Sequence, residues 1–372
     1  MTKAAELAKM GEVLTNSQIG GRRNIAINGA MQVAQRGTSE TGVTSGQYAD
    51  APDRFKVEMS SAGTWTVSQS TTAPSGFSNS YKFDCTTADA SLGAGDYLQL
   101  SHYLEGQDLQ HLKKGTSDAE KVTLSFYVRS NKTGTYIVEF YDADNSRSIS
   151  KSYTISSANT FEKKTITIDG DTSGAFGNDN GGSLGIFFYL GAGSNFTSGT
   201  LNTSWGSRTL ANVAVGQVNL ADSTDNEWYI TGVQMEIGEQ ATPFEHRSFG
   251  EELALCQRYF YTPAPPDTDS LYLMPLTAFS STTAFGVMFF PTPMRAGPTL
   301  DVTLSGGSYL YRANLGTVNG NSASTNPSIG QSNVSSCRFD WASGFSGLTA
   351  GDTGFVTNGD GNSGYFGLDA EL

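Results

Sequence analysis

The sequence predicts an all-β protein: a large antiparallel two-sheet sandwich, a second smaller β-sandwich, a short N-terminal helix and one connecting helix. Three observations carry that prediction. Charged residues fill only 16% of 372 positions while glycine alone fills 43; Ser, Thr and Gly together reach about a third of the chain, against a usual charged share of about 25%. Apolar alternation of period 2 recurs from about residue 41 to the C-terminus. The breaks between those runs are Gly, Asn, Ser and Asp, the residues of tight turns. The chain exceeds the roughly 250–300 residues at which one core stops growing, so more than one domain is expected.

Residues 1–22 read as a helical anchor and linker. Leu7, Met10 and Leu14 fall at i, i+3 and i+7, with Lys3, Glu6, Lys9 and Glu12 between them. A helix this short is marginal in water, so the stripe calls for a partner surface or copies of itself. Residues 23–247 form the first β domain, entered through the extended run Asn24-Ile25-Ala26-Ile27-Asn28-Gly29. Val122, Leu124, Phe126 and Val128 alternate within Lys121–Ser130. The turn Asn131-Lys132-Thr133-Gly134 follows, and Tyr136, Val138 and Phe140 repeat the pattern, so the pair reads as a hairpin. Phe161–Ile168 alternates again, Leu184–Leu190 is apolar throughout, and Tyr229, Thr231, Val233, Met235 and Ile237 share one face of a closing strand.

At residues 248–261 the period changes to 3.6. Ser248 and Glu251 have capping-box spacing, Leu253, Cys256 and Phe260 form one face, and Pro263, Pro265 and Pro266 end the run. Residues 248–266 are therefore expected to connect the domains. Residues 267–372 return to β, with seven short runs at 271–276, 284–290, 299–304, 308–315, 335–341, 354–357 and 364–369.

Several function classes fall away on composition. No apolar run approaches the roughly 20 residues of a membrane-spanning helix. The start, Met1-Thr2-Lys3-Ala4-Ala5-Glu6, lacks the apolar core of a secretory signal. A net charge of −13 opposes nucleic-acid binding, which needs clustered Lys and Arg. Cys85, Cys256 and Cys337 are odd in number and far apart, as expected for buried thiols in a reducing compartment.

Chemistry-bearing patterns are sparse. His102, His111 and His246 are the whole histidine supply, without zinc-ligand spacing, and read as polar packing or capping residues. No Gly-x-Ser-x-Gly elbow sits at a strand-to-helix turn. Glu139, Asp142 and Asp144 are the best local set of carboxylates for glycoside chemistry, and read as solvated strand-end acids. The loop 169–180 begins with cation-loop spacing at Asp169, Asp171 and Ser173 and carries Asp179, but Asn180 stands where a bidentate Glu is needed. It reads as an Asx-rich turn, and no metal or cofactor is expected. Aromatics remain as binding residues: Trp65, Trp205 and, as candidate glycan contacts in the second sandwich, Tyr309, Tyr311, Trp341 and Tyr365. The polar run 357–365 resembles a binding tip.

Three stretches resemble structural proteins of tailed bacteriophages of marine and cyanobacterial type. They are Asn24 through Thr38 followed by Asp53-Arg54-Phe55; Val122 through Ser130 into Thr133-Gly134-Thr135-Tyr136; and Trp228 through Gly238 followed by Ala241-Thr242-Pro243-Phe244-Glu245-His246-Arg247-Ser248 and Leu255 through Tyr261. The resemblance implies a fibre or virion-surface protein with a jelly-roll domain similar to carbohydrate-binding modules. It implies binding or architecture rather than catalysis, and a homotrimer. The resulting expectation is a tail fibre or fibre-like appendage, assembled in the host cytoplasm and exposed on the virion surface. Its N-terminal segment would dock on tail or capsid proteins, and its β domains would meet host-surface glycan. The alternatives are a head-fibre or cement protein without a receptor, and a polysaccharide depolymerase.

Overall fold

Polar turns cut the chain into short strands, and every strand pairing is antiparallel. The computed structural model describes residue 3 and residues 23–264, 272–302, 309–313, 317–323, 327–343, 345, 348–358 and 365–372; at 264, 309–313, 317–323 and 358 only the backbone is described. Leu7, Met10 and Leu14 lie outside the described residues. Two units divide the chain, one ending at Ser248 and a second made of Val33–Thr38 and Phe249–Leu372.

In the first unit the strands are β1 (Ser39–Val43), β2 (Lys56–Ser60), β3 (Thr64–Ser70), β4 (Ser80–Thr87), β5 (Tyr97–Glu105), β6 (Val122–Ser130), β7 (Gly134–Asp142), β8 (Arg147–Ile155), β9 (Glu162–Ile168), β10 (Gly182–Ala192), β11 (Gly206–Ser207) and β12 (Glu227–Ile237). One sheet has the order β1-β3-β4-β12-β6-β9 and the other β11-β8-β7-β10-β5-β2. Most consecutive strands change sheet, β3–β4, β7–β8 and β10–β11 being the exceptions, and the result is a jelly-roll sandwich. Trp65, Phe83, Phe126, Val138, Phe188 and Trp228 are among the side chains buried between the sheets.

The expected hairpin between Lys121–Ser130 and Tyr136–Phe140 is not one. β6 pairs with β12 and β9, whereas β7 pairs with β8 and β10 in the other sheet. Period-2 alternation is the same whether two strands lie side by side or face to face across a core. The turn is tied to β12 instead: Asn131 Oδ1 accepts from the Glu227 N–H at 2.9 Å. The real hairpin is β7–β8, turned at residues 143–146. The run Asn24–Gly29 is not a strand either. It is a buried turn segment with Asn28 in the left-handed region (φ 58°), bonded to β12 through Ile25 N to Met235 O and Val233 N to Gly29 O, both 2.9 Å.

The second unit contains a helix, Phe249–Gln257, then β13 (Phe260–Ala264), β14 (Tyr272–Ala278), β15 (Ala284–Phe289), β16 (Thr299–Val302), β17 (Tyr309–Ala313), β18 (Thr317–Ala323), β19 (Ser328–Ser332), β20 (Ser336–Trp341), β21 (Thr353–Asn358) and β22 (Phe366–Asp369). The helix stops earlier than the 3.6 pattern implies. The aromatic run Tyr259-Phe260-Tyr261 favours strand, and β13 pairs with β22 near the C-terminus. A three-stranded sheet, β13-β22-β16, and a seven-stranded one, β18-β17-β21-β14-β15-β20-β19, share a core around Met274, Phe339, Trp341 and Phe366. The segment 33–38 supplies this unit with buried Arg36. Its guanidinium lies 3.7 Å from the Phe260 ring centroid, bonds Asp369 at 2.7 Å and stands 3.5 Å from Glu371.

Candidate functional site

The outer face of the first unit's second sheet combines aromatic rings with fixed polar groups. Inward positions of β5 and β10, such as Leu98, Leu100, Ile186 and Phe188, fill the core. Alternation therefore sends Gln99, Ser101 and Tyr103 of β5 outward. With them go Phe187 and Tyr189 of β10, Glu139 and Tyr141 of β7, and Lys56 and Glu58 of β2. Register aligns them in rows: Phe187 stands opposite Glu139 and Ser101, and Glu58 opposite Gln99. Part of this face is roofed, because Phe196, Leu201, Val213 and Ala214 pack on Ile137, Phe187 and Tyr189.

Two polar anchors lie on this face, one at its open side and one at the edge of the roof. Glu58 accepts from the Tyr103 hydroxyl at 3.0 Å and from Gln99 Nε2 at 2.7 Å, and Lys56 Nζ stands 3.6 Å away. Burial, reinforced by the Glu58 charge, pushes the Tyr103 phenol far above its ordinary range, so it stays a hydroxyl donor. Across the row, buried Glu139 takes both arms of Arg208 at 2.7 and 2.9 Å and the Tyr189 hydroxyl at 3.0 Å. Burial alone would lower the Arg208 pKa, but its bond to Glu139 raises it well above the ordinary value. The guanidinium lies flat over Tyr141, 4.4 Å from the ring centroid. Tyr103 and Tyr141 flank Phe187, with centroids 5.4 and 5.9 Å from it.

Such a surface can hold a ring whose faces are apolar and whose rim carries hydroxyls. Half-buried tyrosines offer flat faces, Glu58 keeps lone pairs beyond the two it uses, and Arg208 keeps donors beyond the two on Glu139. Glu58, Gln99, Tyr103 and Glu139 are on strands, Arg208 directly follows β11, and all are already bonded, so little ordering is required on binding.

The residues singled out from sequence lie elsewhere. Trp341 and Tyr365 are buried in the second unit, Tyr365 donating to Asp301 Oδ2 at 2.9 Å. They are not surface glycan contacts: inward alternation with Cys337 and Phe339 makes Trp341 a core residue. Tyr309 and Tyr311 lie on β17, and their side chains are outside the described residues. The loop at 169–180 does not converge on a cation site. Asp169 points to solvent and Asp179 accepts from Gly181 N–H, while Asp171 is buried and bonded by both arms of Arg147. The loop wraps the Lys114 ammonium instead, which lies 2.5 Å from Asp142, 3.1 Å from Asp171, 2.9 Å from the Ser173 carbonyl and 2.6 Å from that of Gly174. Among the described residues no group of three His, Cys, Asp or Glu side chains is placed to hold a metal ion. Glu139, Asp142 and Asp144 diverge: Glu139 faces Arg208, Asp142 faces Lys114, and Asp144 caps the Gly177 N–H at 2.8 Å. His102 is a core residue, and the three cysteines are buried free thiols.

No protein-family model matches the chain, and no curated protein matches its sequence. Solved structures that resemble it include the enzymatically active domain of tailspike protein 4 of bacteriophage CBA120. That match has 14% identity, covers 58% of this chain and 21% of that one, and has a TM-score of 0.30. A putative sugar-binding protein of Bacteroides thetaiotaomicron matches with 12% identity, 58% of this chain, all of its own and a TM-score of 0.30. The family 11 carbohydrate-binding module of a Clostridium thermocellum cellulosomal cellulase matches with 9% identity, 60% of this chain, all of its own and a TM-score of 0.26. The chain thus spans about a fifth of the tailspike domain. At these values the matches assign this chain neither ligand nor activity.

Proposed function

We propose that this protein is a virion appendage component that binds carbohydrate on the outer face of the second sheet of its first unit, without catalysis. The observation that carries the binding reading is the Tyr103–Glu58–Gln99 set beside the half-buried Tyr141 ring, both tyrosines packed on the buried Phe187, so that aromatic surface and hydroxyl-binding groups are fixed on adjacent strands. The virion assignment rests on the sequence resemblance across residues 24–261. The carboxylates on this face support binding over hydrolysis. Glu139 is closed off by Arg208 and Tyr189, and a glycosidase needs a pair of free carboxyls about 5–10 Å apart.

Affinity electrophoresis against xylan, β-1,4-galactan, mixed-linkage glucan and alginate tests the site. At least one of these polymers is expected to retard the wild type, with Tyr103→Ala and Glu58→Ala each weakening retention about tenfold or more. Retention unchanged in both variants, or absent in the wild type, refutes the site. Reducing sugar released from a retained polymer refutes the non-catalytic part alone. Immunogold labelling of intact particles tests the appendage assignment, and unlabelled particles refute it.

A further inference from the structure

Exposed large apolar side chains are unevenly distributed. Among the described residues the first unit exposes Leu210, whereas the smaller second unit exposes eight such side chains. Five of these share the outer face of the seven-stranded sheet: Tyr272 (61% exposed), Phe285 (38%), Val287 (41%), Phe289 (77%) and Phe355 (43%). Alternation explains the stripe, since Ala284, Gly286 and Met288 of β15 point inward while Phe285, Val287 and Phe289 point out. The stripe continues across neighbouring strands. Tyr272 of β14 packs edge-on against Phe355 of β21, centroids 5.6 Å apart. On β20 the residues opposite Phe285 and Val287 are Asp340 and Arg338, which close on each other through two bonds of 2.9 and 2.8 Å.

We propose that this face packs against the same face of a second copy of the chain. With about 200 Å² for a fully exposed aromatic side chain, the five residues offer roughly 500 Å² of apolar surface. That lies in the upper part of the roughly 300–600 Å² reached by the largest patch on a typical monomer, a patch that is often functional. It also matches the apolar part of a standard homodimer interface, about 65% of roughly 800 Å² per partner. Charge does not oppose a like partner here: the chain carries −13 overall, but among the described residues of this face Arg338 and Asp340 neutralise each other. A glycan is the poorer occupant, because three of the four rings here are phenylalanines, unlike the Tyr103 surface. Face-to-face stacking of two such sheets, about 10 Å apart, is how sandwich cores are built. The proposal is independent of the carbohydrate reading.

Light scattering coupled to size exclusion tests it on the full chain. The wild type is expected at the mass of two copies of the 39.5 kDa chain at micromolar concentration, because a contact between identical faces closes at two copies. Phe289→Ser, at the most exposed position, should weaken association about tenfold or more, and Phe289→Ser with Tyr272→Ser should give the single-chain mass. Leu210→Ser, in the first unit, should leave the mass unchanged. Circular dichroism identical to wild type establishes that the variants are folded. A wild type at the mass of one copy or of three overturns the proposal, and so does an oligomer that both Phe289 variants leave intact.

Discussion

Lowering the pH from 7 to 5 should destabilise the first unit by about 2 kcal/mol through His102, with His111, whose pKa burial also lowers, adding in the same direction. Its ring is buried on the core side of β5, stacked on Phe55 at 4.7 Å. The Ile27 N–H donates to Nε2 at 3.3 Å, and Nδ1 lies 3.0 Å from the Arg54 carbonyl, so the partners assign a neutral ring with its proton on Nδ1. Burial, with the Arg54 charge beside it, depresses the pKa to about 3. The unfolded value is about 6.5. Between these values the unfolded chain binds the proton and the folded one does not, so stability is fully present above about pH 6.5 and declines as pH falls. The loss at pH 5 is RT ln(1 + 10^1.5), about 2 kcal/mol. It is insensitive to the folded pKa, which is far below the pH used. Carboxylates add little in this window. Burial opposes the charge of Asp171 and Glu227, yet bonds to Arg147 and Tyr229 hold both below the usual range, so they lose their contribution only near pH 4 and below. Hydrogen exchange of peptides from β5 and β10 across a urea series, read by mass spectrometry, reports this unit alone. His102→Gln keeps a donor and an acceptor. It should be less stable at pH 7 but lose most of the pH 7-to-5 dependence. A variant with the same dependence as wild type refutes the assignment.

Lys114→Met should destabilise the first unit by about 3–5 kcal/mol, because Asp142 is left buried with its ammonium gone; adding Asp142→Asn should recover much of that, and urea unfolding of single and double variants checks both. Chelator should leave the wild-type midpoint unchanged, since the ammonium occupies the centre of the loop; a midpoint lowered by EDTA would contradict this. Asn24→Ala should cost about 2–4 kcal/mol, because the side chain accepts from Ala26 N and Met235 N and donates to Val233 O, all at 3.0 Å. Its urea midpoint should fall while the polysaccharide retention of the folded protein stays within twofold of wild type, and lost retention without lost stability would place Asn24 in the site.

The all-β class and most strand positions were legible because turns and period-2 alternation are local properties. Partner choice was not, and the β6–β7 connection shows why: one alternating pattern serves a neighbour in the sheet and a partner across the core equally well. The site was harder still. Tyr103, Glu58 and Arg208 are 45 to 150 positions apart, and they meet only through the pairing of β2, β5, β7 and β10. One signal for it was present. Leu184–Leu190 is apolar at every position, whereas a strand in a two-layer sandwich needs only one apolar face. The surplus face, Phe187 and Tyr189, is where the roof and the aromatic row lie. Trp341 misled because an aromatic's orientation depends on the parity of its strand, which composition does not report.

The stretches that carry the sequence resemblance have a structural explanation separate from recognition. Gly232, with φ at 63°, sits where the β12 register to β6 shifts between Thr231 and Gln234. The buried side chains of Gln234 and Glu236 then hold the segment that follows: Thr242 N and Oγ1 donate to Glu236 at 2.9 and 2.7 Å, and Glu245 N donates to Gln234 Oε1 at 2.7 Å. Glu245 in turn accepts from Asn24 N, and Arg247 donates to the carbonyls of Asn24 and Ala26. A Cβ at Gly29 would run into the Val233 carbonyl. The two ends of the first unit are thus locked together on one strand by residues that only these side chains can satisfy. None of them reaches the Tyr103–Arg208 face, where the rings and their anchors come from outside the resembling stretches except for Tyr136's strand and Phe55's neighbourhood. The resembling stretches thus account for the architecture of the first unit, and the proposed carbohydrate site stands on Tyr103, Glu58, Tyr141 and Arg208.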